Sequence, residues 1–170
     1  KTVFGVVSVH NIPILDAIAK RNLIKFVPAR GEMGAGHMAD GFARSSDKVG
    51  VVITSTGPGA ANVVGSVVEA RFAGTPLLHI TGQTATENLD KNQGTVHDVP
   101  NQLDMMKSVS KNAYRISSSE NVLELLEKAL EEAISPPTGP VSIEVPIDIQ
   151  RIIIKRKETF KKVYVNDKNI

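Results

Sequence analysis

Apolar residues are concentrated in six short runs, and longer segments with helical periodicity separate these runs. Within the runs, polar and apolar positions do not alternate, which is typical of strands buried on both faces of a parallel sheet. The intervening segments place apolar or small residues three and four positions apart, as on one side of a helix. The predicted strands are residues 3–7, 24–28, 50–54, 77–81, 111–116 and 141–145, and the predicted helices are 12–21, 32–44, 60–73, 101–106 and 121–134.

This alternation predicts an α/β fold with three α/β/α layers and a doubly wound, six-stranded parallel sheet. Asn11 is expected to cap the first helix, and Ser118 or Ser119 the last. Pro136 and Pro137 are expected to end that last helix, because proline interrupts the helical hydrogen bonds.

Composition narrows the class of protein. The chain has 170 residues, of which 41% are hydrophobic and 22% charged, which indicates a globular domain. It contains no cysteine, so a disulfide framework and a thiolate metal site are excluded. Its four histidines lack the spacing of metal ligands, and no metal site is predicted. No apolar run approaches the ~20 residues that span a membrane, and no leader is visible, so a cytoplasmic protein with no membrane partner is expected.

Positive charge is concentrated at the C-terminal end. Residues 151–170 contain seven Lys or Arg and two Asp or Glu, whereas residues 1–150 contain thirteen and sixteen. A basic segment with few aromatic side chains fits a solvated linker better than a nucleic-acid surface. We therefore expect a domain at residues 1–150, a basic tail at 151–170 that begins a linker into a missing domain, and no nucleic-acid partner.

The turns that follow the strands are where chemistry is expected, because ligands of open α/β sheets bind beyond the carboxyl ends of the strands. The glycine-containing turn from Ser55 to Asn62 resembles a phosphate-binding loop. However, it lacks the dinucleotide fingerprint and the Walker lysine, and no acidic residue ends the strand at 77–81. A flavodoxin-like nucleotide-binding protein is therefore a disfavoured alternative.

Glu32 begins the second predicted helix and has two possible roles. A glutamate in this place often only balances the helix dipole. The apolar neighbours Phe26, Val27 and Met33 would instead place its carboxylate in a dry crevice beyond a strand end. The residue pattern alone leaves both roles open.

The four histidines are expected to divide into two kinds. His79 lies inside an apolar strand and is expected to be a core residue with a hydrogen-bonded partner, and His37 is expected to pack within its helix. His10 and His97 lie in predicted loops, where an imidazole that titrates near neutral pH is suited to contact a substrate.

Four segments, taken together, resemble thiamine diphosphate enzymes. Residues 30–44 read RGEMGAGHMADGFAR, similar to the signature around the catalytic glutamate of that family. Residues 54–62 read TSTGPGAAN and resemble the next turn, and residues 75–83 and 139–146 resemble two strands that follow. The order and spacing match from Phe4 to about Ile149. The segment resembles the N-terminal pyrimidine-binding domain of acetolactate synthase large subunits and 2-oxo-acid decarboxylases.

The resemblance implies the thiamine diphosphate-binding fold, with Glu32 as the catalytic residue. In that family the matching glutamate hydrogen-bonds N1′ of the cofactor's aminopyrimidine and thereby promotes loss of the C2 proton of the thiazolium. Pro58 and Asn62 match positions that line the pyrimidine pocket. The implied function is the pyrimidine-binding half of an acetolactate synthase-like carboligase that acts on 2-oxo acids, with thiamine diphosphate bound by Glu32, Pro58 and Asn62.

The positions expected to face the substrate depart from the acetolactate synthase pattern. Residues 7–11 replace its Pro-Gly-Gly turn, and His97 and Asp98 stand where it has Phe-Gln. His10, His97 and Asp98 are therefore the expected contacts to the 2-oxo acid, and acetolactate as the product is in doubt.

The resemblance also implies partners. In that family a second domain with a Gly-Asp-Gly motif holds the diphosphate and Mg²⁺, and this chain has no such motif, so the chain alone is expected to be inactive. Whether FAD binds the missing central domain is undetermined. A homodimer or larger assembly is expected through helices rich in small residues, and a non-catalytic or split-subunit thiamine diphosphate-binding module is the alternative. The small residues are Gly34, Ala35, Ala39, Ala43, Ala60, Ala61, Gly65 and Ala70.

Overall fold

The computed structural model describes residues 1–154 and confirms the predicted α/β fold. The strands are β1 Thr2–Gly5, β2 Lys25–Pro28, β3 Gly50–Thr54, β4 Leu77–Gln83, β5 Asn112–Arg115 and β6 Pro140–Pro146. All pairings are parallel, and the six strands lie in the order β2-β1-β3-β4-β6-β5. Most of the predicted basic tail, residues 155–170, lies outside the described residues.

Helices connect the strands and cover both faces of the sheet. They are α1 Ile12–Arg21, α2 Glu32–Arg44, α3 Pro58–Asn62, α4 Val64–Phe72, α5 Gln102–Val109, α6 Val122–Ile134 and α7 Ile147–Gln150, with a 3₁₀ turn at Thr86–Asn88. The core between α2, α4 and the sheet is separate from the core under α6, to which α1 contributes Ile14. Two helical layers therefore enclose the sheet, as the three-layer prediction requires.

The predicted helix at 60–73 is two helices, so its continuity was predicted wrongly. Pro58 begins the first helix two residues earlier than expected, and Val63 separates it from the second. At the break the Ser66 N–H bonds the carbonyl of Val63 at 3.1 Å, three residues back in place of four, and the Ser66 hydroxyl donates to the same carbonyl at 2.7 Å. The break leaves Asn62 at the end of a short helix beside the carboxyl edge of the sheet.

The predicted helix caps act on the preceding turns and not on the helices. Asn11 precedes α1 as expected, but its Oδ1 accepts from Ser8 N at 2.9 Å and its Nδ2 donates to Val6 O at 2.9 Å. Asn121, and neither of the predicted serines, precedes α6, and its Oδ1 accepts from Ser118 N at 3.4 Å. These asparagine side chains therefore order the turns through which the chain enters α1 and α6.

Small residues allow α2 and α4 to pack closely inside the domain. A β-carbon at Gly36 would overlap the Ser66 hydroxyl, so the two helices approach as far as glycine permits. Among the residues predicted to mediate self-association, Ala35, Ala39, Ala43, Ala60 and Ala70 are buried within this chain, so that part of the prediction was wrong. Gly34, Ala61 and Gly65 remain exposed.

The histidines on α2 and β4 differ in burial. His79 is fully buried, and its ring nitrogens lie 2.9 Å from Thr54 Oγ1 and 3.0 Å from Ser142 Oγ, which confirms the predicted core histidine. Burial lowers the pKa of His79 to about 3, so the ring is neutral at pH 7. His37 is exposed, so its predicted packing within the helix was wrong.

Candidate functional site

A cleft of about 310 Å³ opens at the carboxyl edge of the sheet, where the strand order changes direction between β1 and β3. Ligands of doubly wound sheets bind at such a switch point. The turns after β1, β2 and β3 form its walls together with the long loop, residues 84–101. Its lining residues are Val6, Val7, Ser8, Val9, Glu32, Ser55, Pro58, Gly59, Asn62 and His97.

Glu32 enters the cleft from the first turn of α2. The preceding residue, Gly31, is extended, with φ −164° and ψ 156°, and the chain turns into the helix at Glu32. Asn62 Nδ2 donates to Oε2 of Glu32 at 3.2 Å. Among residues 1–154, Oε1 of Glu32 has no hydrogen-bond partner. Glu32 is half-buried and Met33 is 53% exposed, so the predicted dry crevice is open to solvent on one side in this chain.

Glycine at position 59 brings α3 close to this carboxylate. A β-carbon on Gly59 would lie 2.7 Å from Ser55 Cβ and 3.2 Å from Oε1 of Glu32. Pro58, the first residue of α3, carries no N–H and its ring faces the cleft. The structure therefore brings the three residues predicted to bind the cofactor, Glu32, Pro58 and Asn62, into one cleft.

Two serines that sequence reasoning missed face each other across the cleft. Ser8 follows β1 and Ser55 follows β3, and their hydroxyl oxygens are 2.6 Å apart. Ser8 and Ser55 are the first hydroxyl residues after their strands. This position is the sequence signal that could have marked them as site residues. The pair supplies hydroxyl groups that can turn toward a ligand.

His10 and His97 lie side by side, but only His97 lines the cleft. Their ring centroids are 5.6 Å apart, and Nδ1 of His10 is buried with no hydrogen-bond partner among the described residues. Burial, and secondarily the charge of His97, lowers the pKa of His10, so this ring is neutral at pH 7. Asp98 is half-buried and is not among the lining residues, so of the three residues expected to contact the substrate only His97 faces the cleft.

The long loop reaches the cleft by packing on Gly57. This glycine has φ +57°, and a β-carbon on it would overlap the carbonyl of His97. Only glycine combines this backbone conformation with so close an approach. The turn that carries Pro58 is therefore in direct contact with the loop that carries His97.

Within residues 1–154, no group of three or more His, Asp or Glu side chains is arranged to hold a metal ion. No helix in this part of the chain is both long and apolar enough to cross a membrane.

The sequence of this chain is similar to segments of several known proteins. The chain is 36% identical over 154 residues to the mitochondrial acetolactate synthase catalytic subunit of Saccharomyces cerevisiae. The aligned segment covers 91% of this chain and 22% of that protein. It is 33% identical over 150 residues to the acetolactate synthase large subunit of Lactococcus lactis, covering 88% and 26%. It is also 34% identical over 148 residues to a probable 2-ketoarginine decarboxylase of Pseudomonas aeruginosa, covering 87% and 26%.

The chain thus spans about a quarter of the length of these curated relatives. Residues 1–107 match the family described as "Thiamine pyrophosphate enzyme, N-terminal TPP binding domain". That range includes β1 to β4 and every residue that lines the cleft. The chain therefore belongs to the N-terminal thiamine diphosphate-binding domains of thiamine diphosphate enzymes.

Proposed function

We propose that this domain supplies the aminopyrimidine-binding wall of a thiamine diphosphate-dependent enzyme that acts on 2-oxo acids, as an acetolactate synthase-like carboligase. The observation that carries the proposal is the position of Glu32. Its carboxylate lies in the switch-point cleft, where Oε2 accepts from Asn62 and Oε1 has no partner among the described residues. A half-buried carboxylate with one free oxygen is suited to bind the N–H of a ligand.

The cleft has the features that an aromatic, nitrogen-containing ring requires. The apolar side chains of Val7, Val9 and Pro58 form part of its lining. Glycine at 59 leaves free the space that a β-carbon would occupy between Ser55 and Glu32. A planar ring with polar edges would therefore find apolar surfaces for its faces and a carboxylate for one edge.

Each residue then has a distinct task. Thiamine diphosphate, when bound, supplies the carbanion chemistry at the carbonyl of the 2-oxo acid. Glu32 would hold a proton between its Oε1 atom and the pyrimidine ring, and Asn62 would keep the carboxylate turned toward the cleft. Pro58 would pack on the ring face, and His97, with neutral His10 behind it, would contact the substrate. Asp98 would require a shift of the long loop to join them.

Substitution of Glu32 tests the proposal. In the full-length protein, Glu32→Gln is expected to lower turnover at saturating thiamine diphosphate by roughly 10²–10⁴-fold, the scale of lost acid–base assistance. The control is Glu69→Gln on α4, because Glu69 is an exposed glutamate paired only with Arg44. Near-wild-type turnover of Glu32→Gln, with both variants folded, would remove the assignment.

The rest of the enzyme would come from other parts of the assembly. We infer that another domain holds the diphosphate and Mg²⁺, and that residues 1–170 alone are inactive. No observation on residues 1–154 supports FAD binding, and the proposed function does not include FAD as a cofactor. A split-subunit or non-catalytic module is not favoured, because the curated relatives carry the matching segment within much longer acetolactate synthase chains. The cytoplasmic location expected from the sequence stays a prediction.

We further infer a homodimer or larger assembly through the outer face of α2 and α4. Met33 and Met38 on α2 and Val68 on α4 are exposed there, and Phe72 at the end of α4 is 90% exposed. Gly65 lies on the same surface, with Met33 Sδ 3.7 Å from the place where its β-carbon would be. An apolar surface of this kind on a folded domain is typical of a protein interface.

A further inference from the structure

A network of hydrogen-bonded polar side chains runs from the long loop to the backbone of Gly57. Asp90 Oδ2 accepts from Arg115 Nη1 at 2.7 Å, and Arg115 Nε donates to Glu144 Oε2 at 2.7 Å. Glu144 Oε1 accepts from Gln102 Nε2 at 2.9 Å, and Gln102 Oε1 accepts from the Gly57 N–H at 2.5 Å. This network ends at the turn that leads into Pro58.

Gln102, the first residue of α5, is the central member and is fully buried. Its Nε2 also lies 3.3 Å from Gly82 O, and its Oε1 lies 2.9 Å from the Thr56 hydroxyl. That hydroxyl is 3.0 Å from Gln83 Oε1 as well, and its single proton can go to only one of the two amide oxygens. A buried amide with partners on several elements fixes the distances between those elements.

The charged members of this network, Asp90, Arg115 and Glu144, explain how Gln102 itself is held. Glu144 is fully buried, and Arg115 is mostly buried beside it. Burial alone would lower the pKa of Arg115, but its bonds to Glu144 and Asp90 outweigh burial and raise the pKa, so Arg115 stays charged. Glu144 therefore has a fixed counter-ion, and its second oxygen is available only to Gln102.

The long loop is attached to the domain at its start, middle and end. Near its start, Thr86 N donates to Asp148 Oδ1 at 3.0 Å, and the Thr86 hydroxyl donates to Oδ2. In the middle, Asp90 binds Arg115. At the end, α5 begins with Gln102. The loop is therefore held to the domain on both sides of residues 91–99, which include His97.

We propose that Gln102 is a positioning residue, which holds the long loop and the Gly57 turn together so that His97 faces the cleft. The carbonyl of His97 packs on the α-carbon side of Gly57, while the N–H of Gly57 is bound by Gln102. Loss of the Gln102 bonds would therefore change the position of His97 relative to Glu32. The consequence for turnover rests on the proposed function, whereas the consequence for the loop does not.

The first test measures the loop without a cofactor. Hydrogen exchange of the full-length protein, read by mass spectrometry, would be compared for wild type, Gln102→Met and Ser110→Ala. Methionine keeps the length of the side chain but removes the amide. Ser110 is a matched control, because it is buried at the opposite end of α5 and, among residues 1–154, its hydroxyl bonds Ser142 alone, at 2.7 Å.

We expect exchange of peptides covering residues 55–61 and 98–105, which contain the hydrogen-bonded amides of the Gly57 turn, the loop end and the start of α5, to rise roughly tenfold or more in Gln102→Met, the scale of losing a buried hydrogen bond. Ser110→Ala should leave those peptides at the wild-type rate. Equal exchange in the two variants would overturn the proposal. This result does not depend on whether the protein uses thiamine diphosphate.

The second test measures turnover with thiamine diphosphate and a 2-oxo acid. We expect Gln102→Met to lower kcat per folded enzyme by roughly tenfold or more, while Ser110→Ala keeps the wild-type kcat. A loosened loop with unchanged kcat would overturn the positioning role. Absence of thiamine-dependent turnover in the wild type would instead contradict the proposed function and leave the exchange result to decide the loop.

Swapping the amide and the carboxylate between positions 102 and 144 keeps the proposal testable if Gln102→Met does not fold. The single change Gln102→Glu sets two carboxylates against each other. The double change Gln102→Glu with Glu144→Gln removes that repulsion, because it again sets an amide beside a carboxylate, and it leaves acceptors for the Gly57 N–H and for Arg115. We expect the single variant to raise exchange of residues 55–61 and 98–105 and the double variant to return it toward the wild-type rate. A double variant as loose as the single one would overturn the proposal.

Discussion

The side-chain amide of Asn62, at the end of α3, donates to the carboxylate of Glu32, at the start of α2, across 3.2 Å. The two residues are 30 positions apart in the chain, and the bond joins the turn after β2 to the turn after β3. The direction of the Glu32 carboxylate is therefore set by a neighbouring turn and not by its own helix.

This bond predicts different effects for two substitutions of Asn62. Asn62→Ala removes the donor, and we expect a fall in kcat/KM of roughly five- to tenfold, the scale of one partly exposed hydrogen bond to a charged group. Asn62→Asp places a second carboxylate beside Glu32, so a larger loss is expected, greatest at high pH where both groups are charged. Steady-state kinetics at several pH values measure both. Equal losses in the two variants would contradict the role of the bond.

The contact of Gly59 with the site predicts a stability effect. Gly59→Ala places a methyl group 2.7 Å from Ser55 Cβ, and overpacking of this kind is expected to lower the free energy of unfolding by about 1–3 kcal/mol. Gly41→Ala is the control, because Gly41 is an exposed residue of α2 with no atom within 4 Å of a β-carbon there. That change should raise the free energy of unfolding by about 0.5–1 kcal/mol. Urea unfolding of the 170-residue chain measures both, and the opposite order would show that the Gly59 contact is not tight.

The exposed face of α2 and α4 predicts how self-association responds to mutation. Gly65→Leu adds a large side chain beside Met33 and should weaken a dimer by about 1–3 kcal/mol if that face is the interface. Ala19→Leu on the exposed side of α1 adds the same bulk elsewhere and should have no effect. Sedimentation velocity at several concentrations measures the monomer–dimer equilibrium. A wild-type chain that stays monomeric, or a dimer unaffected by Gly65→Leu, would contradict the inference.

The buried His79 predicts that stability falls in acid. Because burial lowers its pKa to about 3, the folded chain keeps this ring neutral at a pH where the unfolded chain takes up a proton. As the pH falls from ~6.5 towards 3, the free energy of unfolding should therefore decrease by up to about 1.4 kcal/mol per pH unit from this group. The lowered pKa of His10 acts in the same direction.

A substitution isolates that contribution. His79→Gln keeps polar atoms near Thr54 and Ser142 but cannot take up a proton, so the pH dependence of unfolding should become shallower, although the variant is less stable at pH 7. Urea unfolding at several pH values between about 7.5 and 4.5 measures the slope. An unchanged slope would mean that His79 does not contribute to acid unfolding.

The residues that could be predicted from the sequence are those whose signal is local. The strands appear as apolar runs, and Glu32 stands at the start of the helix that follows one of them. Parallel strands bring the turns that follow them to one edge, so the place of the cleft follows from topology. The fold and this edge were predicted for that reason, whereas Pro58, Asn62 and the role of Glu32 were predicted only from the resemblance to thiamine diphosphate enzymes.

Other features depend on contacts between distant parts of the chain. Gln102 resembles any polar residue at a helix start, and Glu144 lies in a strand whose neighbours give no sign that Arg115 pairs with it. The break at Val63 coincides with two bonds from Ser66 to the carbonyl of Val63, and the position of Asp98 depends on the course of the long loop. Such features are set by tertiary packing, and a local pattern does not carry them.

The strand order has a consequence for synthesis of the chain. Within residues 1–154, β5 pairs with β6 alone, and β6 also completes the pairing of β4, although it is the last of the six described strands to be made. A nascent chain that ends before Pro140 would carry β4 with one edge unpaired and β5 with no partner. Open edges of apolar strands invite association with other chains. A ribosome-bound intermediate of this protein should therefore be most dependent on chaperones while residues 84–139 are emerging, and that dependence should end when Glu144 reaches Arg115 and the buried ion pair forms.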